Sequence, residues 1–96
     1  MVDKEKVSRA ISFYGTTTES IVAMEELSEL IQCISKGLRG AGSPDHLAEE
    51  IADTMIMLES VQQMYDIPQD RVQAWIDTKQ NRTAIQIARG AYERLL

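Results

Sequence analysis

Apolar residues recur at three- and four-residue spacing through most of the chain, and no stretch alternates with period two. That rhythm predicts four helices, broken where Gly and Pro fall. The first runs from about Lys4 to Phe13 and is interrupted at Tyr14-Gly15-Thr16-Thr17-Thr18. Thr16 followed by Glu19 matches a capping box at the start of the second helix, with Thr17 and Thr18 as alternative caps. This second helix extends from about Thr18 to Leu38 and ends at Arg39-Gly40-Ala41-Gly42, where a glycine can take a left-handed cap. Ser43-Pro44-Asp45 supplies an N-cap, a first-turn proline and an acid beside the positive end of a third helix reaching about Tyr65. Asp66-Ile67-Pro68 breaks the pattern, and a fourth helix covers roughly Gln69 to Leu96. The expected fold class is all-α, a helical bundle with two long antiparallel central helices in a single domain, residues 1–96.

The two central helices carry acids where apolar residues are expected. With Glu26 as the angular reference and ~100° per residue, Val22, Cys33, Leu30, Ala23, Ile34, Leu27, Leu38 and Ile31 form one broad apolar arc. Glu26 lies inside it and Glu29 at its edge. On the third helix Leu47, Met57, Val61, Ile51, Leu58 and Met55 form the arc, with Glu50 inside and Asp53 at the edge. Each helix thus holds an acid pair at i, i+3, one turn apart on one face. Glu-x-x-Glu also occurs on solvated helix faces; Glu25 and Glu49 point further out and stay open between the two readings, and Glu59 reads as solvated. A carboxylate within a packing face, by contrast, is costly unless neutralised, paired or metal-bound. Lys36 and Arg39 stand at the far end of the second helix, where they complement its negative terminus. A divalent cation is the expected partner of the four acids, and oxygen-only ligands favour Mg²⁺ or Mn²⁺. A di-iron bundle would need Glu-x-x-His, and the single His46 precedes Glu50 by four residues.

Composition narrows the function classes. The chain has 96 residues, 15 acidic and 10 basic, with one Cys and one His. So short a domain buries a modest core, which favours oligomerisation. One cysteine makes no internal disulfide and suits a reducing, cytoplasmic setting. No apolar run approaches a membrane span of ~20 residues. The charged Met1–Glu5 segment has no apolar stretch after it, unlike a signal peptide. A formal net charge of -5 argues against binding a nucleic-acid polymer. The acidity is uneven: residues 1–70 hold 13 acidic and 5 basic side chains, residues 71–96 hold 2 and 5.

Glu25-Glu26-Leu27-Ser28-Glu29-Leu30 followed by Glu49-Glu50-Ile51-Ala52-Asp53 resembles the E-x-x-E … E-x-x-D signature of the MazG-like all-α nucleoside triphosphate pyrophosphohydrolases. Tyr14-Gly15, Lys36-Gly37-Leu38-Arg39-Gly40 and Lys79-Gln80-Asn81-Arg82 are similar to short bacterial and phage members, so the resemblance covers about residues 10–83. It implies that Glu26, Glu29, Glu50 and Asp53 hold Mg²⁺ against a triphosphate, and that Glu25 is a candidate base for the attacking water. It implies attack at the α-phosphorus, with release of a nucleoside monophosphate and pyrophosphate. It also implies a homodimer or homotetramer in which neighbouring subunits help build the pocket.

The basic tail then gains a use. Lys79 and Arg82, one turn apart with Asn81 between them, can contact phosphate or ribose oxygens, or can be a solvated helix face. Where short relatives often carry Gln seven residues before the second Glu of the first motif, this chain has Glu19. Glu19 lies on the Glu26 face, so it either meets the substrate or serves the capping box, and substrate choice is not carried over. Cys33 and the methionines read as packing residues. Trp75 and Tyr65 are expected between the third and fourth helices, and His46 is expected to be exposed. Two alternatives accompany the pyrophosphohydrolase reading: phosphoribosyl-ATP pyrophosphohydrolase, and a non-catalytic helical interaction protein with solvated acids.

Overall fold

In the computed structural model, which describes residues 1–95, the backbone forms four α-helices: α1 (Lys4–Tyr14), α2 (Thr16–Leu38), α3 (Pro44–Met64) and α4 (Gln69–Leu95). The described residues contain no strand, so the all-α expectation holds. None of these helices is long and apolar enough to cross a membrane. The chain divides into two compact units, Met1–Asp66 and Ile67–Leu96.

Local chemistry sets most helix ends. The Asp3 side chain accepts from the backbone N–H groups of Glu5 and Lys6, both at 3.1 Å, and caps α1. At the end of α2, Gly40 donates to Gly37 O (3.1 Å) and Ala41 donates to Lys36 O (2.9 Å), with Gly40 at φ 76°. This is a Schellman closure, satisfying carbonyls that the helix leaves open. Ser43 Oγ accepts from His46 N–H (3.1 Å) and Pro44 occupies the first turn of α3, as the sequence predicts. After α3, Asp66 takes a left-handed φ of 53°, a conformation that Asp tolerates better than most residues.

The α1–α2 junction differs from the expectation. Thr16, Thr17 and Thr18 all lie inside α2; its N-cap is Gly15, which makes no side-chain capping bond. The capping box with Glu19 therefore does not form. Gly15 sits at φ 89°, ψ 158°, a region essentially closed to residues with a Cβ, and this lets one helix follow another after a single residue. Glu19 is free of a capping duty and is buried instead.

Within Met1–Asp66, α2 and α3 pack antiparallel. Ser20 Oγ meets Tyr65 Oη at 2.7 Å at one end, and Cys33 and Leu47 border one cleft at the other. The short link between the helices enforces this pairing. Helix α1 packs against both, and Gln63 Nε2 donates to Lys4 O (3.0 Å) to tie α1 to α3. The buried apolar residues are Val7, Ala23 and Cys33, joined by the polar Glu19, Glu50, Thr54 and Ser60. Thr54 is satisfied within its own helix, donating from Oγ1 to Glu50 O (2.8 Å).

Helices α2 and α3 bury only part of their apolar arcs. On α2 the sector around Glu26 faces inward, whereas Met24, Leu27, Ile31, Ile34 and Leu38 are exposed, Ile31 at 68% and Leu38 at 86%. Ile51, Met55 and Leu58 are exposed on α3. These residues follow alternating steps of three and four, and at ~100° per residue each stripe lies about 80–160° round from the buried glutamate. Because the helices run antiparallel, the stripes come out on the same flank and form one two-helix apolar surface. Helix α4, taken by itself, carries exposed Trp75, Ile76, Ile85, Ile87 and Tyr92. Tyr65 is more than half exposed and makes its bond to α2, and Trp75 on α4 is likewise more than half exposed.

Gly15→Ala is expected to destabilise the protein by about 1–3 kcal/mol. The added Cβ meets no atom within 4 Å, so the cost is backbone strain alone. A urea midpoint equal to that of the unaltered chain would show that the junction accepts a side chain.

Candidate metal centre

The packing of α2 on α3 brings acids of both helices together. One carboxylate oxygen from each of Glu26, Glu50 and Asp53 lies within 4.8 Å of the other two. Glu50 is 5% exposed, and Glu26 and Asp53 are half-buried. Helical periodicity accounts for the convergence. Glu26 and Glu50 sit in the middle of the faces that the helices present to each other, and Asp53 follows Glu50 by one turn.

Among the described residues, the carboxyl groups are not compensated by any cationic or hydrogen-bonding partner at their buried oxygens. Oε2 of Glu26 and Oε2 of Glu50 are buried and have no hydrogen-bond partner. Glu26 is pushed from 4.5 to about 7, first by desolvation, then by the charges of Glu29 and Asp53, a hydrogen bond to Asp53 and the charge of Glu50. Glu50 is also raised, mainly by burial and then by Glu29 and Asp53, against a lowering contribution from His46. Like charges at this separation disfavour full ionisation, so the group holds a proton near neutral pH or takes up a cation.

The predicted residues fare differently. Glu29 is exposed and outside the three-oxygen group, yet near enough for its charge to raise both Glu26 and Glu50. Glu25 is exposed on α2 and does not join the group. Glu19 is buried and borders a cavity shared by α1, α2 and α3. Lys79, Asn81 and Arg82 are exposed on α4, where Lys79 O accepts from Thr83 Oγ1 (3.1 Å).

His46, expected to stand apart from the acids, lies beside one of them. Its imidazole is exposed as expected, but Nε2 lies 3.9 Å from Glu50 Oε1. Ligand atoms of His46, Glu49 and Glu50 also fall within 4.8 Å of one another. The signal was present in the spacing: positions 46, 49, 50 and 53 follow i, i+3, i+4, i+7 and share one helix face. Glu50 is common to both groups and is the buried pivot of the acidic surface. No protein-family model, curated protein or solved structure matches the chain.

The raised Glu26 and Glu50 carboxyls give a signed pH dependence. The folded state binds a proton that the unfolded chain has released, so their contribution to stability is fully present below about pH 4.5 and is lost as pH rises through about 7 for Glu26. Metal-free protein is expected to melt progressively lower across that window, and Glu26→Gln to flatten the fall. Mg²⁺ at about pH 8 is expected to raise the melting temperature, because the ligands are then deprotonated. Melting curves that ignore both pH and Mg²⁺ would contradict the electrostatic account.

Proposed function

We propose that the protein is a Mg²⁺-dependent nucleoside triphosphate pyrophosphohydrolase, of the MazG-like kind that its motifs resemble. The observation that carries the reading is the meeting of Glu26, Glu50 and Asp53 across α2 and α3 with buried oxygens left unpaired. An oxygen-only donor set suits a hard divalent cation, Mg²⁺ or Mn²⁺. Glu26, Glu50 and Asp53 would hold it, with Glu29 one turn from Glu26 at the solvent side. When bound, the ion supplies polarisation of the phosphoryl oxygens and neutralises charge on the leaving pyrophosphate.

The chain's own residues supply position and proton transfer. Water attacks the α-phosphorus, an oxygen–phosphorus bond forms, and the bond to the bridging oxygen of the β-phosphate breaks. The proton from water passes to a carboxylate. Glu25, exposed one residue from Glu26, is the candidate acceptor, while Glu26 beside it would hold the ion. Lys79, Asn81 and Arg82 are proposed to bind phosphate or ribose oxygens. Arg82 would do so through a fork and Lys79 as a point charge.

The exposed stripes of α2 and α3 support assembly into a homodimer or homotetramer. Two such two-helix surfaces facing each other make a four-helix bundle and supply the core that a single chain lacks. The stripe and the acidic group emerge on different flanks of the α2–α3 pair, so this assembly leaves the carboxylates open to a substrate.

A panel of nucleoside triphosphates with Mg²⁺, followed by pyrophosphate release, tests the activity. Glu26→Gln and Asp53→Asn are each expected to lower release by more than about 100-fold while helical circular dichroism is retained. Undiminished release in both variants would remove the site assignment, and absence of release from every triphosphate would remove the function. For assembly, sedimentation is expected to give a dimer or larger species at micromolar concentration, and Ile31→Glu to shift it to monomer. A monomeric unaltered chain would overturn the oligomer.

A further inference from the structure

A second polar feature lies along the same helices and is not used by the metal centre. Glu19 is seven residues before Glu26 on α2, and Ser60 is seven residues after Asp53 on α3. Because the helices are antiparallel, both steps run the same way, two turns or about 10 Å along the pair. Glu19 and Ser60 border one cavity of about 180 Å³ with Val7 and Ala10 of α1 and Ile56 and Met57 of α3. Asp3 and Lys6 stand at its exposed rim. Glu19 is 5% exposed, Ser60 is wholly buried, and Ser60 Oγ has no hydrogen-bond partner.

These are the attributes of a small ligand pocket: apolar walls and two buried polar residues, one of them with an orphaned hydroxyl. The volume is below the ~300–1,000 Å³ of pockets for drug-sized molecules and suits a single heterocycle rather than a whole nucleotide. We propose that this cavity seats the nucleobase and selects one offering two adjacent N–H donors on one edge, the guanine class. Its position relative to the phosphates rests on the pyrophosphohydrolase reading; its chemistry follows from Glu19 and Ser60 alone. A phosphate held at the acidic group and a base held two turns away are separated by the ribose.

The choice of base follows from hydrogen-bond arithmetic. A carboxylate only accepts, through two oxygens side by side. Guanine presents its ring N1–H next to an exocyclic amino group and satisfies both oxygens. Adenine and cytosine present one amino group beside a ring nitrogen acceptor, which places a lone pair against the second oxygen. Uracil and thymine present one N–H between two carbonyls. Once a base fills the space between Glu19 and Ser60, such a mismatch leaves buried polar groups unpaired and is rejected strongly. Ser60 Oγ can donate to a further acceptor on the ring.

The test uses the full chain with Mg²⁺ and two readouts: calorimetric binding of the four ribonucleoside monophosphates, and pyrophosphate release from the triphosphates with inosine triphosphate included. Guanosine monophosphate is expected to bind at least about tenfold more tightly than the others, and guanosine triphosphate to exceed inosine triphosphate in kcat/KM by a similar factor, since inosine lacks the amino group. Glu19→Gln, nearly isosteric, is expected to erase both preferences, and Ser60→Ala to weaken guanine binding with the fold intact. Turnover of triphosphates without a Glu19-dependent guanine preference would overturn this inference and leave the activity standing. Glu19-dependent guanine binding without turnover of any triphosphate would support the pocket and overturn the activity. Loss of both would overturn both.

Discussion

The structure of Met1–Asp66 turns on the enclosure of carboxylates between α2 and α3. Ordinary packing would place aliphatic side chains where Glu26 and Glu50 stand, and the surrounding Ala23, Cys33 and Thr54 are small. Small neighbours let the helices approach while leaving room for acidic side chains. The consequence is electrostatic: three oxygens within 4.8 Å, two of the buried oxygens unpaired, and one carboxyl raised to about 7. Such an arrangement is unfavourable by itself and becomes favourable when a cation or proton enters. Without a cation or proton the cluster is a destabilising feature of the fold.

The same cluster also accounts for the exposed apolar stripes. With the middle of the α2–α3 face given to acids, little apolar area remains for the chain to bury on its own. Val7, Ala23 and Cys33 make a small core, while Leu27, Ile31, Ile34, Ile51, Met55 and Leu58 lie outside it. The broad apolar arc seen in the sequence is divided by angle. One edge lies beside the acids between α2 and α3, and the other is exposed.

How much of this was legible follows from the range of the interactions. Ser43, Pro44 and Gly40 act within a few residues of themselves, so their caps could be read directly. The positions of Glu26, Glu50 and Asp53 were legible because helical period alone places them on facing arcs. Glu29 obeys the same period, yet its place at the edge of the arc leaves it exposed, which only the actual rotation of α2 against α3 decides. The Thr16–Glu19 pattern misled because a local signal competed with a tertiary one. Burial of Glu19 among α1, α2 and α3 and the special backbone of Gly15 outweighed a capping bond worth ~1 kcal/mol. Ser60 carried no visible signal, since a small polar residue on a helix is unremarkable until its hydroxyl is found buried and unpaired.

The matching seven-residue steps, Glu19 to Glu26 and Asp53 to Ser60, give the antiparallel pair a second level. Two helical turns of seven residues return a side chain to within about 20° of its starting direction, so a position that faces the partner helix at one level faces it again at the next. The same geometry that draws carboxylates together at the upper level therefore directs Glu19 and Ser60 inward at the lower one. There α1 supplies the third wall through Val7 and Ala10. Between the levels the intervening turn offers Val22, Ala23 and Met57, which are apolar, and Thr54, whose hydroxyl is already bonded to Glu50 O. The buried side-chain oxygens without a partner, those of Glu26, Glu50 and Ser60, therefore fall at two heights of the α2–α3 pair. A ligand charged at one end and planar at the other has the shape that satisfies both.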